Sequence, residues 1–288
     1  VVIEDSAGNQ FVWIPVGIVI KNDGSKSNEI KLGRYTFDSN GTPTEQQLAY
    51  TSENSTNYLN TVPIESYFQE LSISRDGVES LEIGVGENAT AKDLAGFIQS
   101  VKDNGGYYLA RYEASYGSGS NISDYKPLSK ISTGTPRETE ETPLTTGMLW
   151  NFITQVESAH AARNMYLDNK DINGNKVGVE SDLVNSYAWD TAIVYIQEMG
   201  NTNYANTNCD KTGNKALMNT GATGDVACNI YDIAANVKEW STEFSDYESA
   251  DYPYPCVRKG GVYDNNENYP YTRTYGVSTN AYIFTSFR

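Results

Sequence analysis

Three cysteines and one histidine are the chain's complete set of thiol and imidazole groups. Cys209 and Cys228 bracket the loop CDKTGNKALMNTGATGDVAC, Cys256 stands beyond it, and His160 lies far off in sequence. Zinc needs three or four such ligands at one point, so no zinc site is expected. The loop between Cys209 and Cys228 has few apolar groups to hold it. A disulfide closing it would contribute about 3 kcal/mol in the chain-entropy model. The expectation is a Cys209–Cys228 disulfide, with Cys256 left as a buried thiol. His160 sits between Ala159 and Ala161 in a helical stretch and reads as structural or solvent-facing. No nucleophile elbow or P-loop accompanies it. Oxygen ligands offer one further pattern. NKDINGNKVGVE (169–180) spaces Asn169, Asp171, Asn173, Gly174 and Glu180 like a calcium loop. Asn in first place and Lys176 in eighth fit a polar Asn-Gly turn better.

Elements must position these groups, and 288 residues with 39% hydrophobic content suffice for a core. A formal net charge of −16 argues against DNA, RNA or an anionic membrane as partner. No stretch reaches 18 apolar residues. The chain starts at Val1, not Met, and reads as trimmed, any signal or anchor lying outside it. Tyr-, Asn-, Ser- and Thr-rich composition with a disulfide fits an extracellular protein on a cell or virion surface.

QFVWIPVGIVI (10–20) reads as a buried strand bent at Pro15, and IKLGRYTF (30–37) as a second strand paired with it. Residues 38–80 are polar and read as a surface excursion. Residues 90–106 predict a helix ended by Gly105–Gly106, and 107–115 a strand. The longest helix is predicted over 145–166, with Leu149, Phe152, Ile153, Val156, Ala159 and Arg163 on or beside one stripe. Another follows over 186–199, presenting Trp189, Ala192, Ile193 and Ile196. Beyond residue 200 short strands and turns are expected. With no repeat and no clean linker, the reading is one α+β domain over 1–288.

Several pieces together resemble the formylglycine-generating-enzyme-like branch of the C-type lectin fold. FVWIPVG is similar to that family's opening strand, and GGYYLARYEAS to its aromatic–Arg/Lys–Tyr–Glu strand. YDIAANVKEW resembles its Gly-Asn-Val-x-Glu-Trp signature, with Ala235 in place of Gly. VRKGGVY and the closing FR resemble its Gly-Gly strand and terminus, with Ser286 in place of Gly. The resemblance implies calcium held by Asp232, the carbonyls of Ala235 and Val237, and Glu239. Alternatively, Glu239 caps local backbone N–H groups without metal. The family's oxidases carry a copper-binding cysteine pair after the Gly-Gly strand, where this chain has VYDNNENYPYTRTYG. Without those thiolates no copper is expected, and the chain reads as non-catalytic. Calcium-bridged sugar binding is not expected either, because Glu-Pro-Asn, Gln-Pro-Asp and Trp-Asn-Asp are absent.

Non-catalytic members of this fold include the variable proteins of diversity-generating retroelements. Their C-terminal stretch is rewritten at template adenines, turning AAY codons into any NNY codon, a set without Lys, Gln, Glu, Met or Trp. From Val262 to Ser286 Glu267 alone falls outside that set. The stretch is rich in Tyr and Asn, as binding loops are. The resemblance implies a ligand-binding face for a protein or other macromolecule on a cell surface. Its expected members are Tyr263, Asp264, Asn265, Asn266, Asn268, Tyr269, Tyr271, Thr272, Thr274, Tyr275, Ser278, Thr279, Asn280, Tyr282 and Phe284. The alternatives are a copper oxidase of the formylglycine-generating type and an invariant adhesin or structural subunit.

Overall fold

Along QFVWIP, Val12 and Ile14 are fully buried between half-buried neighbours, and this alternation makes a strand, β2 (Gln10–Pro15). β1 (Val2–Glu4) and β5 (Gly106–Ala110) flank it, both antiparallel, in the order β1-β2-β5. The computed structural model describes residues 1–45, 94–167, 173, 178–244, 255–277 and 280–288. Most of the expected 38–80 excursion and the calcium-like loop, with Ser278 and Thr279, therefore lie outside the described residues.

The expected second strand is shorter than its alternation suggested and pairs elsewhere. Ile30 touches the first strand's extension through one bridge to Gly17. The true strand, β3 (Tyr35–Phe37), pairs with β4 (Pro43–Glu45). Helix α1 (Leu94–Asn104) leads into β5, and the hairpin β6 (Ser115–Ser118) and β7 (Lys126–Leu128) follows.

The longest expected helix is also shorter. α2 spans only Gln155–Asn164, because Thr154 and Glu157 form a capping box that fixes its start. Upstream, Phe152 has φ 52°, and the chain runs extended beside β6. Tyr116 N–H donates to the Met148 carbonyl at 2.8 Å, and Trp150 N–H to that of Ala114 at 2.9 Å. Leu149, Ile153, Val156 and Ala159 are buried all the same. α3 (Ser186–Glu198) matches expectation, capped by Asn185, whose side chain accepts from Ala188 N–H.

Beyond it come a 3-10 turn (Tyr204–Asn206), the one-turn α4 (Cys209–Thr212) and the hairpin β8 (Val226–Ala227) and β9 (Ile230–Tyr231). A second sheet has the order β12-β11-β10-β13, from β10 (Lys238–Phe244), β11 (Pro255–Lys259), β12 (Arg273–Val277) and β13 (Thr285–Phe287). β13 runs parallel to β10, and the other pairs are antiparallel. The architecture is α+β. One core cluster joins β2 and β5 to α3 around Trp189 and Ile193, and a second gathers Trp150, Trp240, Cys256 and Phe287.

The disulfide expectation is corrected. Cys209 and Cys228 are both free thiols. Cys209 is buried at the start of α4, whereas Cys228 takes φ 51° in the two-residue turn joining β8 to β9, against the first core cluster. Asn229 follows at φ 69°, and two successive positive φ angles suit a tight hairpin turn. Cys228 is thus held by the hairpin and by core packing. Without reduction, peptide mapping should find Cys209 and Cys228 alkylated as thiols; a linked Cys209–Cys228 peptide would contradict this geometry.

Gly260 and Gly261 carry the closest backbone approach in the second sheet. A Cβ on Gly261 would stand 1.9 Å from the Ala234 carbonyl oxygen. Gly261 N–H also donates to the Ile233 carbonyl at 3.0 Å, so the two segments cannot part without losing that bond. Gly261→Ala should destabilise by roughly 3 kcal/mol or more. Gly178, where a Cβ would meet nothing within 4 Å, should accept Ala within ~0.5 kcal/mol. Thermal melting of the pair decides, and equal melting temperatures would refute the close-approach account.

Candidate functional site

Residues alternate across the second sheet, so β10 sends Lys238 and Trp240 to one face and Glu239 and Ser241 to the other. Glu239 stands opposite Lys259, Lys259 opposite Arg273, Trp240 opposite Arg258, and Arg258 opposite Thr274.

The face of Glu239 and Lys259 is charged and sealed. Lys259 is fully buried, its ammonium 2.7 Å from Asp190 of α3. Arg273 bridges Asp190 and Glu243, with Nε 2.9 Å from the Glu243 carboxylate. Burial alone would push the Asp190 carboxyl up, but Arg273 and Lys259 outweigh it and hold the pKa below its ordinary value. Two positive and two negative side chains close this quartet. Arg273 thereby anchors the middle of the expected binding segment from inside.

A second buried group surrounds the chain's terminus. The Arg288 guanidinium donates to both Glu239 oxygens, at 3.0 and 2.8 Å, and to the carbonyls of Ala110 and Tyr231. Glu113 accepts from the Asn236 side chain at 2.6 Å and from Val237 N–H at 3.2 Å. Asp232 accepts from Thr220 Oγ1, Gly221 N–H and Thr223 Oγ1. Asp225 accepts from Ala234 N–H and from Tyr204 Oη. The two carboxylates expected to hold calcium, Asp232 and Glu239, are thus each taken by a different set of protein donors. Ala235 and Val237 between them are buried. A cation there would have to displace these donors, so the side chains as arranged do not fit one. Among the described residues no three His, Cys, Asp or Glu side chains gather as a metal site.

The expected binding segment is divided by burial. Asp264, Asn265, Asn266 and Asn280 are exposed. Tyr263, Tyr269, Tyr271, Thr272, Thr274, Tyr282 and Phe284 are half-buried, and Asn268 is buried rather than displayed. Tyr271 stacks on Tyr269 at 5.7 Å and 6° and packs against Phe37 at 5.5 Å, so part of it belongs to the core. Tyr282 likewise packs on the second cluster. Beside the exposed turn lies an open polar recess of about 370 Å³ lined by Cys209, Lys215, Tyr263, Asp264 and Asn266. Asn208 donates to the Asn266 carbonyl and Asn266 to Asp210, both at 2.6 Å, which fixes the turn against α4. His160 is buried on α2 and lies outside this face.

Sequence reasoning missed the quartet, the buried carboxylates Glu113 and Asp225, and Lys238 and Arg258 on the opposite face of the sheet. The available signal was the charge density of VKEWSTEF and VRKGG, unusual for strands ending in a core. No protein-family model, curated protein or solved structure matches the chain. Among the described residues no helix is long and apolar enough to cross a membrane.

Burial, with Asp232 nearby, raises the Asp225 carboxyl from 3.8 to about 7. The folded chain therefore keeps a proton that the unfolded chain releases, and stability falls as pH rises from about 4 to 7. Asp225→Asn keeps an acceptor for Ala234 N–H and removes this linkage. Urea melts at pH 4.5 and 7 should show a smaller loss in the variant, the difference being on the order of 1–4 kcal/mol. Identical losses would remove Asp225 as the linked group.

Proposed function

We propose that this chain is a non-catalytic ligand-binding protein that displays residues 262–286 as a variable face on a C-type lectin scaffold of the formylglycine-generating-enzyme type. The carrying observation is the interleaving within that segment. Exposed Asp264, Asn265, Asn266 and Glu267 lie between residues held from inside, namely Val262, Asn268 and Arg273. Such a segment can change its outer side chains while its inner ones hold the backbone.

The scaffold resemblance draws support from how its motif residues meet. Glu113 of the YEAS stretch, in the connection between β5 and β6, bonds to Asn236 of the NVKEW signature. Gly261 passes against Ala234, and terminal Arg288 grips Glu239. Four of the five short resemblances scattered along the sequence thus meet at one centre. The occupant is a macromolecule on a cell or virion surface, and Tyr263, Tyr269 and the recess beside Asn266 supply the mix of aromatic area and adaptable hydrogen bonds that such recognition uses.

Alanine at Asp264, Asn265 and Asn266 should each change stability by less than ~0.5 kcal/mol, whereas Trp240→Ala, fully buried, should cost about 3–5 kcal/mol. Tyr271→Ala should fall between them, because half of its ring is core. Thermal melts of this set decide the matter: if two of the three turn residues match Trp240→Ala, the segment is core and the display reading fails. Conversion of a cysteine-containing sulfatase peptide to its aldehyde in the presence of copper would refute the non-catalytic assignment.

A further inference from the structure

Lys259 and Asp190 are both fully buried, with the ammonium nitrogen 2.7 Å from Asp190 Oδ1. Glu243, buried as well, stands 3.9 Å from the same nitrogen. Lys215 and Asp210 also pair, but their side chains are 58% and 45% exposed, so water competes there for both partners. The Lys259–Asp190 pair is closed to bulk water. An amine and a carboxyl held together in such a place are the two halves of an amide.

The two oxygens of Asp190 are held differently. Oδ2 accepts from Tyr35 N–H at 3.0 Å and from Arg273 Nη2. Oδ1 accepts from the Lys259 ammonium. Two fixed donors thus stabilise negative charge on Oδ2, while Oδ1 lies where the lysine protons can reach it. Nζ is hydrogen-bonded to an oxygen of the carbon it would attack, close to the roughly 3–3.5 Å of a reacting pair. Burial and then Arg273 lower the pKa of the Lys259 ammonium, which favours the free amine, the nucleophilic form. Arg273 and Lys259 keep Asp190 ionised, so the reaction starts from the ion pair. Arg273 Nε also donates to Glu243 at 2.9 Å and fixes that carboxylate beside the attacking nitrogen.

We propose that Lys259 Nζ and Asp190 Cγ join in an intramolecular isopeptide bond, with Glu243 as proton relay, and that this bond ties β11 to α3. The ammonium gives one proton to Oδ1 and one to Glu243. The neutral amine attacks Cγ, and the new C–N bond forms as charge gathers on Oδ2 under Arg273 and Tyr35. Glu243 returns its proton to Oδ1, the Cγ–Oδ1 bond breaks, and Oδ1 leaves as water. Of the three ammonium protons, two depart in that water and one stays as the amide N–H. One positive and one negative charge disappear, so the step needs no oxidant and no co-reactant. Oδ2 becomes the amide oxygen with both donors already in place. Arg273 and Glu243 remain as a balanced buried pair, and removing the other pair relieves the cost of holding ions out of water. The bond joins positions 69 residues apart. It lies in the fixed scaffold behind β12 and does not depend on the display reading.

The test is the mass of the full chain, kept folded for several days and then denatured. The mass should fall short of the sequence mass by one water, and digestion should release the Asp190 peptide joined to the Lys259 peptide. Lys259→Arg keeps the charge without the amine and should retain the full mass. In Glu243→Gln the linked fraction should accumulate roughly a hundredfold more slowly; an unchanged rate would remove Glu243 from the step. Should that variant fail to fold, the parent mass still decides. A full sequence mass in the parent, or one water lost with the two peptides separate, overturns the cross-link. No ligand takes part, so such a failure leaves the display reading to its own melting test.

Discussion

The quartet of Asp190, Lys259, Arg273 and Glu243 fixes how the helix layer and the second sheet meet. Each member comes from a different element: α3, β11, β12 and β10. Isolated charges at such depth would cost several kcal/mol each. Balanced two against two they are tolerated, but only in one geometry. Asp190 also accepts from Tyr35 N–H at 3.0 Å, and Arg273 donates to the Tyr35 carbonyl at 3.3 Å. The β3 strand is thereby tied to the same point. Sliding any of these elements by one residue would strand a buried charge, so the quartet selects register more than it adds stability.

Arg288 performs the same task at the other edge. Val184 N–H donates to its carbonyl at 3.3 Å, while its guanidinium reaches β5, β9 and β10. Between these two charged clamps the sheet's other face carries Trp240 and Phe287 into the second core. That face ends at Lys238 and Arg258, beside half-buried rings. One sheet therefore keeps neutralised charge on one face and aromatic packing on the other. Its strands alternate in both senses.

Burial was more legible in the sequence than conformation. The stripe through Leu149, Ile153, Val156 and Ala159 named buried residues correctly, yet half of it is extended chain. A short apolar run cannot separate helix from strand. The capping pair Thr154 and Glu157 was visible and marks the true start. α3 was legible because its apolar spacing persists over the whole helix. The Cys209–Cys228 pairing was not, because loop composition says nothing about where two ends travel, and the tight hairpin at Cys228–Asn229 and core packing hold that end. At the site, polarity foretold the exposed turn at Asp264–Asn266. It could not foretell that Asn268 and Arg273 turn inward, since their partners lie far along the chain or in the backbone of neighbouring turns.

If residues 262–286 are rewritten at adenines, as in the proteins they resemble, the inward residues face a constraint from the genetic code. Arg can be encoded by CGN, Gly by GGN and Val by GTN, all without adenine in the first two places. Arg273, Gly276, Val277 and Val262 can therefore be written so that adenine mutagenesis passes over them. These are residues that the fold requires. Arg273 closes the quartet, and a Cβ on Gly276 would stand 3.0 Å from the Trp240 ring. The exposed Asn265 and Asn266 need adenine in both places and lie on the outer turn. Several residues strain the scheme: buried Asn268 and Thr285, and half-buried Tyr271 and Tyr282, also need adenine codons. Asn268 lies in a backbone turn, its N–H 3.4 Å from the Asn265 carbonyl. Tyr271 packs against Phe37 at the rim of the first core. Both are at the edge of packing rather than at its centre, where substitution shifts the local turn without stranding a charge. Thr285 and Tyr282 apart, the division between safe and changeable codons follows the division between buried charge and exposed turn, and the quartet sets where it falls.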